Sequence, residues 1–523
     1  MAAVAHRAGH VAGLGGVARG SALNLLGAVA ATIANLGLVV VVTRGSTPTV
    51  AGAFFTVTSA FLLASTVARL GTNTGLVFFI SRARATGSTS SPSHLVRLAS
   101  LPVIALALVA TISVLIWAPQ LARLMLGDNG PLAVGMLRVT ALALPAGVMH
   151  EVYLSATRGY RQMAPTVFIE RMGIPVGQLL CLLVVVWHDG SATHLAIAWA
   201  MPYVPALVAG WWAWRRLLNS EESPSTVPGE TSAATFWRFT APRAVSSVAQ
   251  LAMARADILL VAAIRGPVEA ALYTAATRFV VVGQLGMQAL SLTVQPRLAA
   301  LASTADYAEA GKLYRVATTW LVLLVWPVYL ATSVLAGEVV SIFGGSYRDP
   351  QTVAVIIIMS VAMLAATATG MVDVFLNMAG KSSWTLVNAV SALTIMIGLD
   401  VFLIEPYGAV GASIGWATAI VIRNAMALTM LWHAFGIHPF GRSSGLAAAT
   451  GLLAFGFLPG VGALVTGGEF SGRIAGLGVG LIVFVFAVLR WRDELQTSIF
   501  LQQLKERRSG SSASSTPTEN EMV

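Results

Sequence analysis

Runs of about 20 apolar residues follow one another from residue 21 to residue 491. Each is long enough to carry a helix across the ~30 Å hydrocarbon core of a bilayer. In that solvent every backbone N–H and C=O must be satisfied within the chain, so helices are the form such runs take. A fold around one soluble core is excluded. Composition agrees: 56% of residues are hydrophobic and 10% charged, where a soluble domain carries about 25%. The chain is expected to be an all-α polytopic membrane protein with about fourteen transmembrane helices.

The spacing predicts spans near 21–43, 50–81, 96–118, 131–157, 163–187, 194–218, 236–264, 268–298, 313–337, 350–379, 383–404, 408–434, 443–466 and 473–491. Spans 50–81 and 268–298 are long, which predicts tilt or bending. The first of these is also interrupted by Arg69 and the polar run GTNTG at 71–75. The first apolar run exceeds a signal-peptide core of ~7–15 residues and reads as a spanning helix.

The net charge of +10 does not call for nucleic acid. Arg and Lys collect in cytoplasmic loops of membrane proteins. A cytoplasmic N-terminus puts roughly twenty basic residues inside, among them Arg82, Arg84, Arg158, Lys312 and Arg315, and about five outside. Both termini are then cytoplasmic.

The single cysteine, Cys181, excludes an intrachain disulfide, and the eight histidines show no metal-ligand spacing. AGKSS at 379–383 mimics the end of a phosphate-binding loop, but Phe375 stands where its first glycine belongs. No cofactor, metal or catalytic residue is expected, and no outward loop is long enough for an extracytoplasmic catalytic domain.

An internal repeat organises the chain. VVVVTRGSTPTVAGAFF (39–55) matches LLVAAIRGPVEAALY (259–273), ATRG (156–159) matches NMAG (377–380), and Trp199 matches Trp416. All three offsets are close to ~220 residues, which relates two parallel halves in the manner of transporters. The expected organisation is a cytoplasmic leader (1–20), a six-helix bundle (21–218), a cytoplasmic linker (219–235) and a second six-helix bundle (236–434). Two extra spans (435–491) and a cytoplasmic, partly disordered tail (492–523) follow. Residues 490–508 are basic with apolar positions at helical spacing, which suits either the inner membrane surface or an ordinary solvated helical tail.

Ionisable residues inside spans are candidates for function. Arg138, Arg243 and Asp400 read as helix-end residues that snorkel. Glu170 and Arg171 are neighbours pointing in different directions. The hairpin MARADILLVAAIRGPVEAALYTAATRF (253–279) carries more information. About eleven residues separate its Gly266-Pro267 turn from both Arg255 and Arg278, so the two lie at similar depth, with Asp257 about 3 Å away in depth. Arg255 and Asp257 are two apart and face nearly opposite sides of one helix. Asp257 is therefore the charge partner expected for Arg278. Two readings stay open: an ion pair tying two helices, or a cavity lining that meets an anion. Arg69, in the other half, favours the second, because guanidinium forms forked bonds with phosphate oxygens. Glu151 and Asp373, in equivalent fourth helices, are candidates for ion coupling or for pairing with loop arginines.

These segments carry a resemblance. LNLLGAVAATIANLGLVVVVTRG (23–45) with RLGTNTGLVFFISR (69–82) resembles the opening of polysaccharide transporters similar to O-antigen flippases, in the multidrug/oligosaccharidyl-lipid/polysaccharide exporter superfamily. ADILLVAAIRGPVEAALYTAATRF, VQPRLAAL, SIFGGSYRDP, LNMAGKSSWTLVNAV and YGAVGASIGWATAI continue it, over about residues 20–435. The resemblance implies a V-shaped pair of bundles around a central cavity, working by alternating access. It implies transfer of a polyprenyl-pyrophosphate-linked oligosaccharide from inner to outer leaflet of the cell membrane, with Arg69, Arg255 and Arg278 holding the pyrophosphate. The driving force would be an ion gradient or the membrane potential. Expected partners are that substrate, membrane lipids, and envelope polysaccharide polymerases and glycosyltransferases; no nucleic acid is expected. In related lipid-II flippases two extra C-terminal helices form a groove for the lipid tail, as the last two spans here could. The alternatives are a lipid-II-type peptidoglycan precursor flippase and a multidrug/cation antiporter; three candidate cavity arginines weigh against the antiporter. A membrane glycosyltransferase or polymerase fits least.

Overall fold

The computed structural model describes the backbone of residues 2–86, 91–219 and 232–495, with side chains for 23–85 and for both later segments. The centre of the expected linker and the chain beyond residue 495, including most of the basic 490–508 segment, lie outside the described residues. Among those described, no strand forms.

Among the described residues, eleven helical segments are long and apolar enough to cross a membrane, and the protein is a multi-pass membrane protein. Two of them hold a pair of crossings each. Pro92–Gly159 contains α4 (Pro92–Leu126) and α5 (Gly130–Gly159), while α15 (Ser382–Phe435) breaks at Gly408. A further helix, α10 (Pro267–Ser303), is long enough to cross but carries Gln284, Gln288 and Gln295 along its length. The pattern of about fourteen crossings predicted by apolar spacing is therefore present.

The first crossing lies in α1 (Ala2–Gly45), which starts well before the expected span, so the leader is helical. The second breaks into α2 (Pro48–Ala68) and α3 (Thr72–Thr86) at the Arg69–Gly71 interruption. Leu70 and Gly71 there take φ of 52° and 72°. The tenth expected span is not continuous: α13 (Pro350–Ala368) ends and α14 (Val372–Met378) begins across Gly370. Its apolar pattern runs through the break, so hydropathy alone could not reveal it. The fifth crossing opens with a π-helical stretch, Thr166–Gly173, before α6 (Ile174–Trp187). The sixth comprises α7 (Ala192–Ala200) and α8 (Tyr203–Asn219). Then come α9 (Ala233–Arg265), α11 (Tyr307–Val334), α12 (Ala336–Ser341), and the C-terminal α16 (Arg442–Leu452), α17 (Leu458–Val465) and α18 (Phe470–Arg490).

Local chemistry sets the ends. Thr47 caps α2, accepting from the Val50 N–H at 3.4 Å, with Pro48 at the first helical position. Ser232 and Asp306 cap α9 and α11 in the same way. Between α9 and α10, Gly266 takes φ 92°, a conformation that a side chain would oppose, and Pro267 then sets the next helix.

Two compact units organise the chain: Met1–Leu285 with Ala336–Met359 and Thr385–Arg423, and Gly286–Leu335 with Ser360–Trp384 and Asn424–Val523. In the first, α9 packs along both α2 and α3. At one end the Pro267 carbonyl lies where a Cβ on Gly52 would stand. At the other, Gly71 meets the Thr240 carbonyl and the Ala244 backbone, and Phe78 stacks on Phe239 with centroids 4.2 Å apart. Small residues let backbones approach where lipid supplies no hydrophobic drive. In the second unit α16 packs on α11, and Val322, Trp326, Ala447 and Phe455 share one buried cluster. There α17 and α18 meet through glycines: a Cβ on Gly476 would stand 2.6 Å from Pro459 Cα.

Candidate functional site

In the first unit, α1, α2, α5, α6, α9 and α10 surround a cavity of about 270 Å³. Arg69, Arg255 and Arg278 all line it, as do Glu151 and Glu170. The three arginines singled out by sequence thus meet in one space.

They differ in their partners. Arg69 closes α2, where the chain turns into the break before α3. Its guanidinium forms an ion pair with Glu151 and donates to the Thr66 hydroxyl. Both side chains of the pair are under one-fifth exposed. Glu170, placed by the π-helical stretch, faces Arg158, whose Nη1 lies 3.6 Å from its carboxylate. Arg171 turns the other way and donates to the Asn24 carbonyl of α1 at 3.2 Å. Sequence had left these two neighbours unassigned; the local backbone separates them.

Arg278 spends its donors on its own helix. Nε donates to the Thr274 carbonyl at 3.1 Å and Nη2 to the Thr277 hydroxyl at 3.2 Å. Among the described residues neither Arg278 nor Arg255 forms an ion pair. The expected Asp257–Arg278 pair is therefore corrected. Asp257 is 3% exposed, accepts from the Tyr273 hydroxyl, and accepts from the Ile258 N–H at 2.8 Å. A neutral phenol from the next helix takes the role assigned to arginine. Tyr273 is sixteen residues along the hairpin, and packing of α10 on α9, not depth, brings its hydroxyl to Asp257.

Two acids lie elsewhere. Asp373 sits in the first turn of α14, in the second compact unit, and does not line the cavity. Repeat equivalence to Glu151 did not bring the two into one site. Asp400 was expected to snorkel; it is instead fully buried against Gly415 of its own folded-back helix. Neither of its carboxylate oxygens has a hydrogen-bond partner among the described residues. Its place near a helix end in sequence concealed the fold-back at Gly408.

Polar and aromatic groups complete the wall. His150, Gln178, Trp199 and Tyr203 line the cavity. Gln178 donates to the Trp199 carbonyl at 3.0 Å, and Phe61 packs edge-on to Trp199 with centroids 5.1 Å apart. Sequence reading missed His150, Gln178 and Tyr203 as lining residues. The usable signal was a polar residue inside an apolar run, present for His150 and Gln178 and absent for Tyr203.

The chemistry of the cavity suits an anion. Three arginines face two glutamates, one glutamate is engaged by Arg69 and the other by Arg158 outside the lining, and two guanidiniums remain. Asp257 attracts both through space without pairing with either, and arginine held without a direct partner inside a span is costly, so this lining favours an anionic ligand.

A family profile described as polysaccharide biosynthesis protein matches residues 17–302, more than half of the chain. The protein belongs to this family. Its fold is also that of the MOP-superfamily flippases and transporters. The inward closed conformation of the lipid II flippase MurJ superposes with a TM-score of 0.71 at 12% identity, covering 90% of this chain and 99% of that one. A multidrug resistance MATE family transporter in its inward-facing conformation gives 0.66 at 14% identity, with 78% and 94% covered. A MOP superfamily transporter from Pyrococcus furiosus, described as having a binding pocket of reverse polarity, gives 0.58 at 15% identity, with 80% and 95% covered. The search of curated proteins finds no match. At these identities the structural likeness establishes the fold of this family member and leaves its substrate to the site.

Proposed function

We propose that this protein is a flippase that moves a polyprenyl-pyrophosphate-linked oligosaccharide, a cell-envelope polysaccharide precursor, from the inner to the outer leaflet of the cytoplasmic membrane. The observation that carries the reading is the pair Arg255 and Arg278, two guanidiniums that form no ion pair among the described residues, in a cavity that Arg69 also lines. A pyrophosphate offers them forked, charge-assisted hydrogen bonds. The aromatic lining of Phe54, Phe55, Trp199 and Tyr203 suits the sugar beyond it. Family membership supports a polysaccharide context.

In this reading both termini are cytoplasmic, following the charge bias of the loops. The two repeated bundles, 21–218 and 236–434, alternate access to the cavity, and the ion gradient or membrane potential supplies the work. Glu151 couples, because protonation or cation binding there would release Arg69 to the substrate. Asp373 is the second coupling candidate. Envelope polymerases and glycosyltransferases are the partners that supply and consume the glycan.

The test is a deletion strain complemented with wild type or with Arg255→Ala/Arg278→Ala. The proposal expects lipid-linked repeat units to accumulate inside, and surface polysaccharide to vanish, in the deletion and in the double variant. Unchanged surface glycan without accumulation would overturn it.

A lipid-II-type precursor is the second reading. The MurJ match covers 90% of this chain against 78% for the MATE match, a difference that favours a flippase with extra helices over a drug exporter. Accumulation of peptidoglycan precursor in the same strain, with other glycans intact, would select it.

A further inference from the structure

A second cavity, of about 680 Å³, lies wholly within the second compact unit and shares no residue with the first. Four basic residues from three helices converge on it. Lys312 and Arg315 stand three apart on α11, Arg297 lies one residue past Pro296 near the end of α10, and Arg442 opens α16. One acid, Glu309, joins them in the lining and is engaged by Lys312 at 3.0 Å. Arg442 lies 3.7 Å from Glu494. Arg297 and Arg315 form no ion pair among the described residues.

The cavity is not merely a charged surface. Interleaved with the charges on α11, Leu313, Val316 and Trp320 line the same cavity, as does Phe440 of the chain between α15 and α16. Positions 312, 315, 316 and 319 share one helix face, and Leu313 and Trp320 flank it, so the cavity sets charged groups beside apolar and aromatic ones. A soluble anion would use the charges and leave that wall wet. A lipid uses both, with its headgroup on the arginines and its first chain carbons against Trp320.

We propose that this cavity is a second binding site that takes the phosphate headgroup of a membrane lipid. Basic pockets between helices on the cytoplasmic side hold lipid phosphates in this way, and the positive-inside assignment puts Lys312 and Arg315 on that side. The site does not depend on the flippase reading of the first cavity. Its phosphate can come from bulk anionic phospholipid or from a polyprenyl diphosphate, and the chemistry of recognition is shared.

The experiment is native mass spectrometry of the full-length protein released from nanodiscs. The probes are phosphatidylglycerol in a phosphatidylcholine background, polyprenyl diphosphate, and inorganic diphosphate. In the Arg255→Ala/Arg278→Ala background, where the first cavity no longer competes for diphosphate, one phosphate-bearing lipid should remain bound, and which of the two lipids remains names the source. Arg297→Gln/Arg315→Gln should bind about 30-fold more weakly, from two charges each contributing about fivefold. Arg297→Lys/Arg315→Lys should largely restore binding. Arg255→Ala/Arg278→Ala should bind at this site like wild type, which separates failure here from failure of the first cavity. Unaltered melting of the glutamine variant verifies its fold. Equal lipid retention by wild type and the glutamine variant would overturn the proposal, as would binding of inorganic diphosphate with no lipid retained.

Discussion

The two hairpins related by the internal repeat begin alike and end differently. Each turns through Arg-Gly, at Arg44-Gly45 and at Arg265-Gly266. In the first, α1 and α2 lead to Arg69, which Glu151 neutralises. In the second, α9 and α10 bring Arg255 and Arg278 to the same cavity with no acid in an ion pair. Of the two acids that the second hairpin contains, Asp257 is turned to Tyr273 and Glu269 pairs with Arg265 at the turn. Repetition of a backbone plan therefore does not repeat its electrostatics. The arginine of one hairpin is closed in a pair by α5 and those of the other are left without one, and the proposed site rests on that asymmetry.

The largest effect should come from removing the open charges. Each arginine making a charged hydrogen bond to phosphate is worth about 1.5–3 kcal/mol, so Arg255→Ala/Arg278→Ala should weaken diphosphate binding by roughly 10²–10⁴-fold. Titration of the purified protein with inorganic diphosphate measures this. Equal loss from Arg69→Ala alone would erase the distinction between the hairpins.

Breaking the closed pair should have a smaller and mixed effect. Glu151→Gln strands Arg69 in a largely buried setting, which should lower stability by about 2–3 kcal/mol, less than for a fully buried pair because the cavity admits solvent. The freed guanidinium should simultaneously tighten diphosphate binding, by about tenfold. Adding Arg69→Met should recover most of the stability, and a double-mutant cycle of thermal unfolding reads the coupling. An additive cycle would mean that the pair is not formed.

Much of this was legible beforehand. Apolar runs of membrane length gave the crossings, and the turn-counting argument placed Arg255 and Arg278 at one depth. Two apart on a helix, Arg255 and Asp257 do diverge. What sequence could not supply was the third dimension around each charge. Arg278 and Tyr273 both lie within reach of Asp257 by depth, and only packing chose the phenol. A π-helical stretch at 166–173 shifts Glu170 toward the cavity without leaving a compositional trace. Asp400 lies near the end of an apolar run, yet the reversal at Gly408 folds the next segment over it. Hydropathy locates crossings along one axis; the site depends on rotation about that axis and on breaks within it.

The turns of the two hairpins offer the mildest and most local comparison. Arg44 donates from Nε to the Ile342 carbonyl at 2.7 Å and from Nη2 to the Ser341 carbonyl at 3.4 Å, beside the end of α12. Arg265 instead pairs with Glu269 at 2.9 Å, and the other oxygen of Glu269 accepts from the Ala409 N–H at 3.1 Å, just after the break in α15. The first turn is thus held by an exposed cation on carbonyls, and the second by a mostly buried anion that satisfies an amide at a helix start. Glu269→Ala leaves that amide unsatisfied and should lower the melting stability by about 1–3 kcal/mol. Arg44→Gln gives its carbonyls back to water and should change stability by only about 0.5–1 kcal/mol. Thermal unfolding of the two variants in one detergent decides the order. If Arg44→Gln proved the more damaging, the first hairpin would be the anchor, and the open charges of the second would sit on the element freer to move.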